Sequence, residues 1–113
     1  MQPAPYFAEL ADNSLPVDAA WLTAGDGTRL RRAIWGKAAR GHVLLLPGRT
    51  EYIEKYGRVA RDLAARGFAT VCIDWRGQGL SDHLDGRRDI GHVEDFAEYQ
   101  DDFQTLLANP AIA

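Results

Sequence analysis

The 113-residue chain has room for one small domain, and its 46% apolar and 26% charged residues are the balance of an ordinary globular protein. A formal net charge of −3 argues against nucleic acid as the main partner, because a phosphate backbone calls for a basic face. The single cysteine, Cys72, rules out an internal disulfide, and no apolar run approaches the ~18 to 20 residues that a membrane span needs.

Residues 1–18 are rich in proline and short polar side chains and read as an irregular leader on the surface. They hold no basic segment followed by a long apolar one, so no signal peptide is expected, and a reduced, cytoplasmic setting is. Residues 20–23 read as a short strand. Gly25-Asp26-Gly27 is a turn signal, since glycine tolerates positive φ. Residues 28–35 then place Leu30, Arg32 and Ile34 on one face and Arg31, Ala33 and Trp35 on the other. The alternation carries an arginine on each face, and a β-hairpin is still the expected unit.

Residues 43–49, Val-Leu-Leu-Leu-Pro-Gly-Arg, are the stretch around which the chain is organised. The apolar run reads as a strand buried on both faces, and Pro47 and Gly48 break it into a loop. A loop at the carboxyl end of such a strand, ahead of a helix, is where an open α/β sheet places its chemistry. Its backbone N–H groups are released from the ladder, which makes it a candidate anion or oxyanion cradle. Tyr52, Tyr56, Val59, Ala60, Leu63 and Ala64 recur at helical spacing as one buried face, with Glu54 and Arg58 on the other as an i,i+4 pair. Gly67 is placed to end that helix.

Residues 68–73 form a second buried strand, so strand, helix and strand make a right-handed βαβ unit with parallel strands. Residues 74–82 are the second loop at the carboxyl end, and a polar stretch continues to Asp89. Asp95 and Glu98 resemble a capping box. Phe96, Tyr99, Phe103, Leu106 and Leu107 form the stripe of a last helix, which Asn109-Pro110 stops.

Several motifs admit a chemical and a plain reading. Gly77-Gln78-Gly79 suits a dinucleotide loop, but Asp82 stands where a third glycine belongs and no helix pattern follows, so a tight turn is expected. Ser81 falls one residue short of a nucleophile elbow and is expected to brace its loop. Cys72 lies mid-strand and reads as core. His42, His83 and His92 show no metal-ligand spacing; His42 marks a strand start, and His92 has the stronger claim to a site. Arg87-Arg88 reads as a solvated pair. No cofactor and no metal are expected.

Taken together, Leu-Pro-Gly-Arg with the following Glu-Tyr-Ile-Glu-Lys-Tyr, Asp-Trp-Arg-Gly-Gln-Gly-Leu-Ser-Asp, and Gly-His-Val-Glu-Asp-Phe-Ala-Glu-Tyr resemble the first third of an α/β-hydrolase. The branch they resemble is the bacterial lysophospholipases and monoacylglycerol lipases. The resemblance implies an α/β fold: a β-hairpin, a parallel βαβ unit and a following helix, in a partial hydrolase domain over residues 19–113. It implies that Gly48 and Arg49 form the oxyanion loop, with the Arg49 backbone N–H as one donor, worth about 3 kcal/mol in the transition state. Pro47-Gly48 stands where much of the superfamily has His-Gly. Asp74 and Arg76 are expected to brace the glycine loop.

By the same resemblance the catalytic serine follows the next strand, with the acid and histidine further on. No nucleophile, acid or base is therefore assigned here, and the chain is expected to be an N-terminal piece of a serine hydrolase. The strand carrying that serine would lie beside residues 43–46, so the rest of the hydrolase is needed to cover an open edge. The implied substrate is a small-molecule or lipid ester, with peripheral membrane contact left open. Two other readings stand beside it: a non-catalytic remnant that binds a partner along that edge, and an epoxide or haloalkane hydrolase with aspartate as nucleophile.

Overall fold

The computed structural model describes residues 2–12, 15–48, 51–82 and 96–109. In chain order the elements are α1 (Ala8–Ala11), β1 (Val17–Thr23), β2 (Arg29–Trp35), β3 (Gly41–Leu45), a 3₁₀ turn (Ile53–Tyr56) running into α2 (Gly57–Ala65), β4 (Phe68–Ile73) and α3 (Phe96–Leu107). The four strands form one sheet in the order β1-β2-β4-β3. β1 and β2 are the expected antiparallel hairpin, paired from Val17 opposite Trp35 to Thr23 opposite Arg29. β3 and β4 run parallel, from Gly41 opposite Phe68 to Leu45 opposite Cys72, so the expected parallel pairing across the crossover is present. β4 also pairs antiparallel with β2, which joins hairpin and βαβ unit.

The pleat divides the core between two faces. On one, Leu22, Leu30, Ile34, Val71 and Ile73 pack with Leu106 of α3. On the other, Ala33, Trp35 and Cys72 pack with Ile53 and Ala60 of the crossover. The two arginines that spoiled the alternation in β2 are both buried, at 1% exposure each. Arg32 reaches the Asp18 carbonyl at 2.5 Å and its carboxylate at 3.1 Å, whereas Arg31 faces the crossover and meets two acids described below. The Cys72 thiol is fully enclosed, and burial first, then the Asp74 charge, pushes its pKa far up.

Five expectations need correction. β3 is not buried on both faces: each of its residues is half-buried and Leu46 is 47% exposed, because β3 is an edge strand with a neighbour on one side only among the described residues. The leader lies on the surface but is not irregular throughout: it contains α1, and Val17 and Asp18 already belong to β1. The Ala4 N–H donates to the Ala19 carbonyl at 2.9 Å and the Trp21 N–H to the Gln2 carbonyl at 3.0 Å, so the first residues line the outer edge of β1. Tyr6 packs edge-on to Trp35, whose indole N–H donates to its hydroxyl at 2.7 Å.

In the turn, Gly27 takes φ +87° and Gly25 does not adopt positive φ. The helical stripe is also rotated. The crossover opens with a 3₁₀ turn, which advances the phase, so Ile53, Glu54, Gly57 and Ala60 are buried while Tyr52 and Val59 stand 39% and 43% exposed. Glu54 therefore does not pair with Arg58, which bonds Asp12 at 2.9 Å instead. Gly67 ends α2 at φ +91°, as expected.

Candidate active site

The carboxyl ends of β3 and β4 lie side by side and in parallel, so the segments that leave them, 46–48 and 74–82, meet at one end of the sheet. Trp75 ties them together. Its indole N–H donates to the Pro47 carbonyl at 2.8 Å, and its ring rests edge-on against Tyr99 of α3 at 5.4 Å between centroids. The Gly48 N–H donates to Glu51 Oε1 at 2.6 Å. The same oxygen accepts the Tyr56 hydroxyl, and Glu51 Oε2 pairs with Lys55 Nζ at 2.9 Å. Tyr56, then Lys55, then the Gly48 amide hold the Glu51 carboxyl down at about 2, and the hydrogen bond to Glu51 pushes the Tyr56 phenol up to about 12.

Asp74, the first residue after β4, is fully buried and gathers three segments. Its Oδ1 accepts the Ile53 N–H at 2.9 Å; its Oδ2 accepts the Leu80 N–H at 2.9 Å and Arg31 Nε at 2.8 Å. Arg31 spends its other two nitrogens on Glu54 in a fork, each bond 2.6 Å long, and also reaches the Pro5 carbonyl at 3.0 Å. Burial opposes the charge on Glu54, but Arg31 and the Phe7 N–H outweigh it and draw the carboxyl below its usual range. For Asp74 burial dominates and pushes the carboxyl up, with Arg31 offsetting part.

The glycine loop is built on these contacts. Gly77 and Gly79 take φ of +76° and +49°, and a Cβ at Gly79 would stand 2.2 Å from Asp74 Oδ2. Ser81 is fully buried: its hydroxyl accepts the Arg31 N–H at 2.8 Å and donates to the Asp74 carbonyl at 2.6 Å, the bracing role expected of it. Arg76 points to the other face. It holds Asp102 of α3 through both its backbone N–H at 3.0 Å and its Nε at 2.9 Å, and its Nη1 reaches Asp26 at 2.6 Å and Glu98 at 2.8 Å. The hydrogen bond from Arg76, with one from the Thr28 N–H, lowers the Asp26 carboxyl to about 2. Asp74 and Arg76 thus brace the loop, as read from sequence.

Of the two residues assigned to the oxyanion loop, Gly48 sits directly beyond β3 and Arg49 lies outside the described residues. His83, Arg87, Arg88, His92 and Asp95 lie outside them too, while His42 is the second residue of β3. Ser81 and Cys72, both enclosed, are closed to a substrate carbonyl. Among the described residues no group of three His, Cys, Asp or Glu side chains is placed to hold a metal ion.

Sequence reasoning missed the Arg31–Glu54–Asp74 cluster and the Glu51–Tyr56–Lys55 group. The available signals were a charged residue inside an apolar strand, and an acid beside Ile53 at the start of the crossover.

Residues 37–111 of the chain match the family described as serine aminopeptidase, S33. The chain belongs to this hydrolase family. Among relatives of the S33-family chain, lysophospholipase L2 of Escherichia coli (strain K12) is 45% identical over 60 residues, covering 53% of this chain and 18% of that protein. The monoacylglycerol lipase of Mycolicibacterium smegmatis is 34% identical over 83 residues, 72% of this chain and 28% of its own length. An α/β-hydrolase structure from Novosphingobium aromaticivorans superposes with a TM-score of 0.67 at 27% identity, over 88% of this chain and 34% of that one. A soluble variant of the monoglyceride lipase of Saccharomyces cerevisiae superposes at 0.63 with 25% identity, over 89% and 31%. The fold is that of the α/β-hydrolases, and the chain spans less than a third of the length of these two curated relatives.

Proposed function

We propose that the protein carrying this chain is a serine hydrolase of carboxylic esters whose substrates are lysophospholipids or monoacylglycerols. What supports the substrate class is the pair of relatives named for those activities. The observation that carries the site is the engaged Gly48 amide. With that N–H donated to Glu51, Gly48 is not the donor, and we assign the oxyanion hole to the amide that follows it in sequence, the Arg49 N–H.

In this reading the ester carbonyl enters with its oxygen toward the Arg49 amide. As a serine adds to the carbonyl carbon, the carbonyl π pair moves onto that oxygen, and the N–H dipole stabilises the alkoxide formed. Ser81 and Cys72 are enclosed, and by the resemblance to the α/β-hydrolases we assign the attacking serine to polypeptide that follows these residues. To the same polypeptide we assign the cover of the β3 edge that has no neighbouring strand among the described residues.

A fluorophosphonate probe applied to residues 1–113 and to the longest reading frame that contains them tests the proposal. Labelling of the longer protein alone, at a serine in Gly-x-Ser-x-Gly, is the expected result. Labelling of neither, or labelling of Ser81 in the short one, overturns it.

A further inference from the structure

The Pro47–Gly48 peptide group is gripped at both ends. Its carbonyl oxygen accepts from Trp75 Nε1 at 2.8 Å and its N–H donates to Glu51 Oε1 at 2.6 Å. Two hydrogen bonds on opposite edges of one planar unit fix the orientation of its plane, because rotation about the chain axis would break both. Each grip is itself anchored. Trp75 follows Asp74 on the β4 loop and leans on Tyr99 of α3, and Glu51 is held by Tyr56 and Lys55 of the crossover.

A carboxylate beside a developing alkoxide repels it, so a bare acid there would slow the reaction. Here the carboxylate is saturated by three donors, the Gly48 amide, the Tyr56 hydroxyl and the Lys55 ammonium, which leaves it ionised while compensating its charge. A neutral acceptor with the same reach would hold the peptide equally well.

From this geometry we propose that Glu51 and Trp75 are positioning residues: together they pin the Pro47–Gly48 peptide plane and thereby aim the oxyanion loop. The role rests on the ester-hydrolase reading given above. Neither side chain touches the reacting atoms. Their contribution is to remove a rotation that the glycine would otherwise allow, and misplacing a stabilising dipole by about 1 Å costs on the order of 10²-fold in rate.

The test is p-nitrophenyl butyrate hydrolysis by the longest protein containing this sequence, as wild type, Glu51→Ala, Glu51→Gln and Trp75→Phe, with urea midpoints for each. Glu51→Ala is expected to lower kcat by roughly 10- to 100-fold with KM unchanged. Glu51→Gln, which keeps an acceptor for the Gly48 amide, restores most of that loss. Trp75→Phe keeps the ring against Tyr99 but removes the indole donor, and lowers kcat in the same manner. A kcat that follows the urea midpoint across the four proteins, or a Glu51→Gln no better than Glu51→Ala, overturns the positioning role while leaving the hydrolase reading intact. Where Glu51→Ala does not fold, an unchanged kcat in Trp75→Phe overturns the proposal by itself. A wild type without ester turnover overturns the hydrolase reading and this role with it.

Discussion

Replacing Arg31 by methionine removes the cation that pairs two enclosed carboxylates. Glu54 and Asp74 are 1% and 0% exposed, and Arg31 makes three charged hydrogen bonds to them, of 2.6, 2.6 and 2.8 Å. After the change Glu54 keeps the Phe7 N–H, and Asp74 keeps the Ile53 and Leu80 N–H groups. Among the described residues neither keeps a positive partner. Leaving such charges uncompensated costs about 3–5 kcal/mol, a large part of the ~5–15 kcal/mol by which domains are stable. With a urea dependence of about 2 kcal/mol per molar, the midpoint falls by about 2 M.

The pH dependence separates this cause from lost packing. In the wild type the Glu54 carboxyl is held below its usual range, so its contribution is present at neutral pH and lost on acidification. In Arg31→Met burial is no longer opposed. Both carboxyls then titrate above their unfolded values, and the destabilisation is complete at pH 7 and shrinks toward about pH 4. The gap in midpoint between the two proteins therefore narrows from pH 7 to pH 5 in urea titrations followed by circular dichroism. A loss below about 1 kcal/mol at pH 7, the scale of an exposed pair, or a gap that stays constant with pH, would refute the reasoning.

Four further outcomes follow from the structure. Arg76→Met strands the fully buried Asp102 and is expected to cost about 3 kcal/mol, with amide hydrogen exchange in α3 accelerating ahead of the sheet. Gly79→Ala sets a Cβ into the Asp74 carboxylate and should cost about 2–3 kcal/mol by thermal unfolding. Gly27→Ala, at φ +87° with open space around it, should cost only about 1 kcal/mol and so measures the backbone term alone. Glu51, held at about 2, contributes stability above the ordinary glutamate range that is lost as pH falls toward 2. Glu51→Gln should flatten that limb of the stability–pH curve and leave the neutral region nearly level.

What could be read without coordinates was what depends on neighbours along the chain. β4 was legible residue for residue from its unbroken apolar run, Gly67 from its place after the last periodic residue, and the hairpin from an alternation around a glycine turn. The glycine loop was legible too, since two glycines around one residue restrict what the backbone between them can do. The crossover helix was read one phase off, because a 3₁₀ turn and an α-helix share polar and apolar letters but not angular spacing.

The chain's own letters thus determined the strands, the turn, the parallel unit and the two loops at its carboxyl end. Only the packed structure decided where the charges go. Arg31, Glu54 and Asp74 are separated by 23 and 20 positions along the chain, yet meet within 2.8 Å, and Arg76 finds acids from the hairpin turn and from α3. Such partnerships arise because burying an ion forces it to find an opposite charge wherever the fold presents one, and sequence periodicity carries no record of that partner.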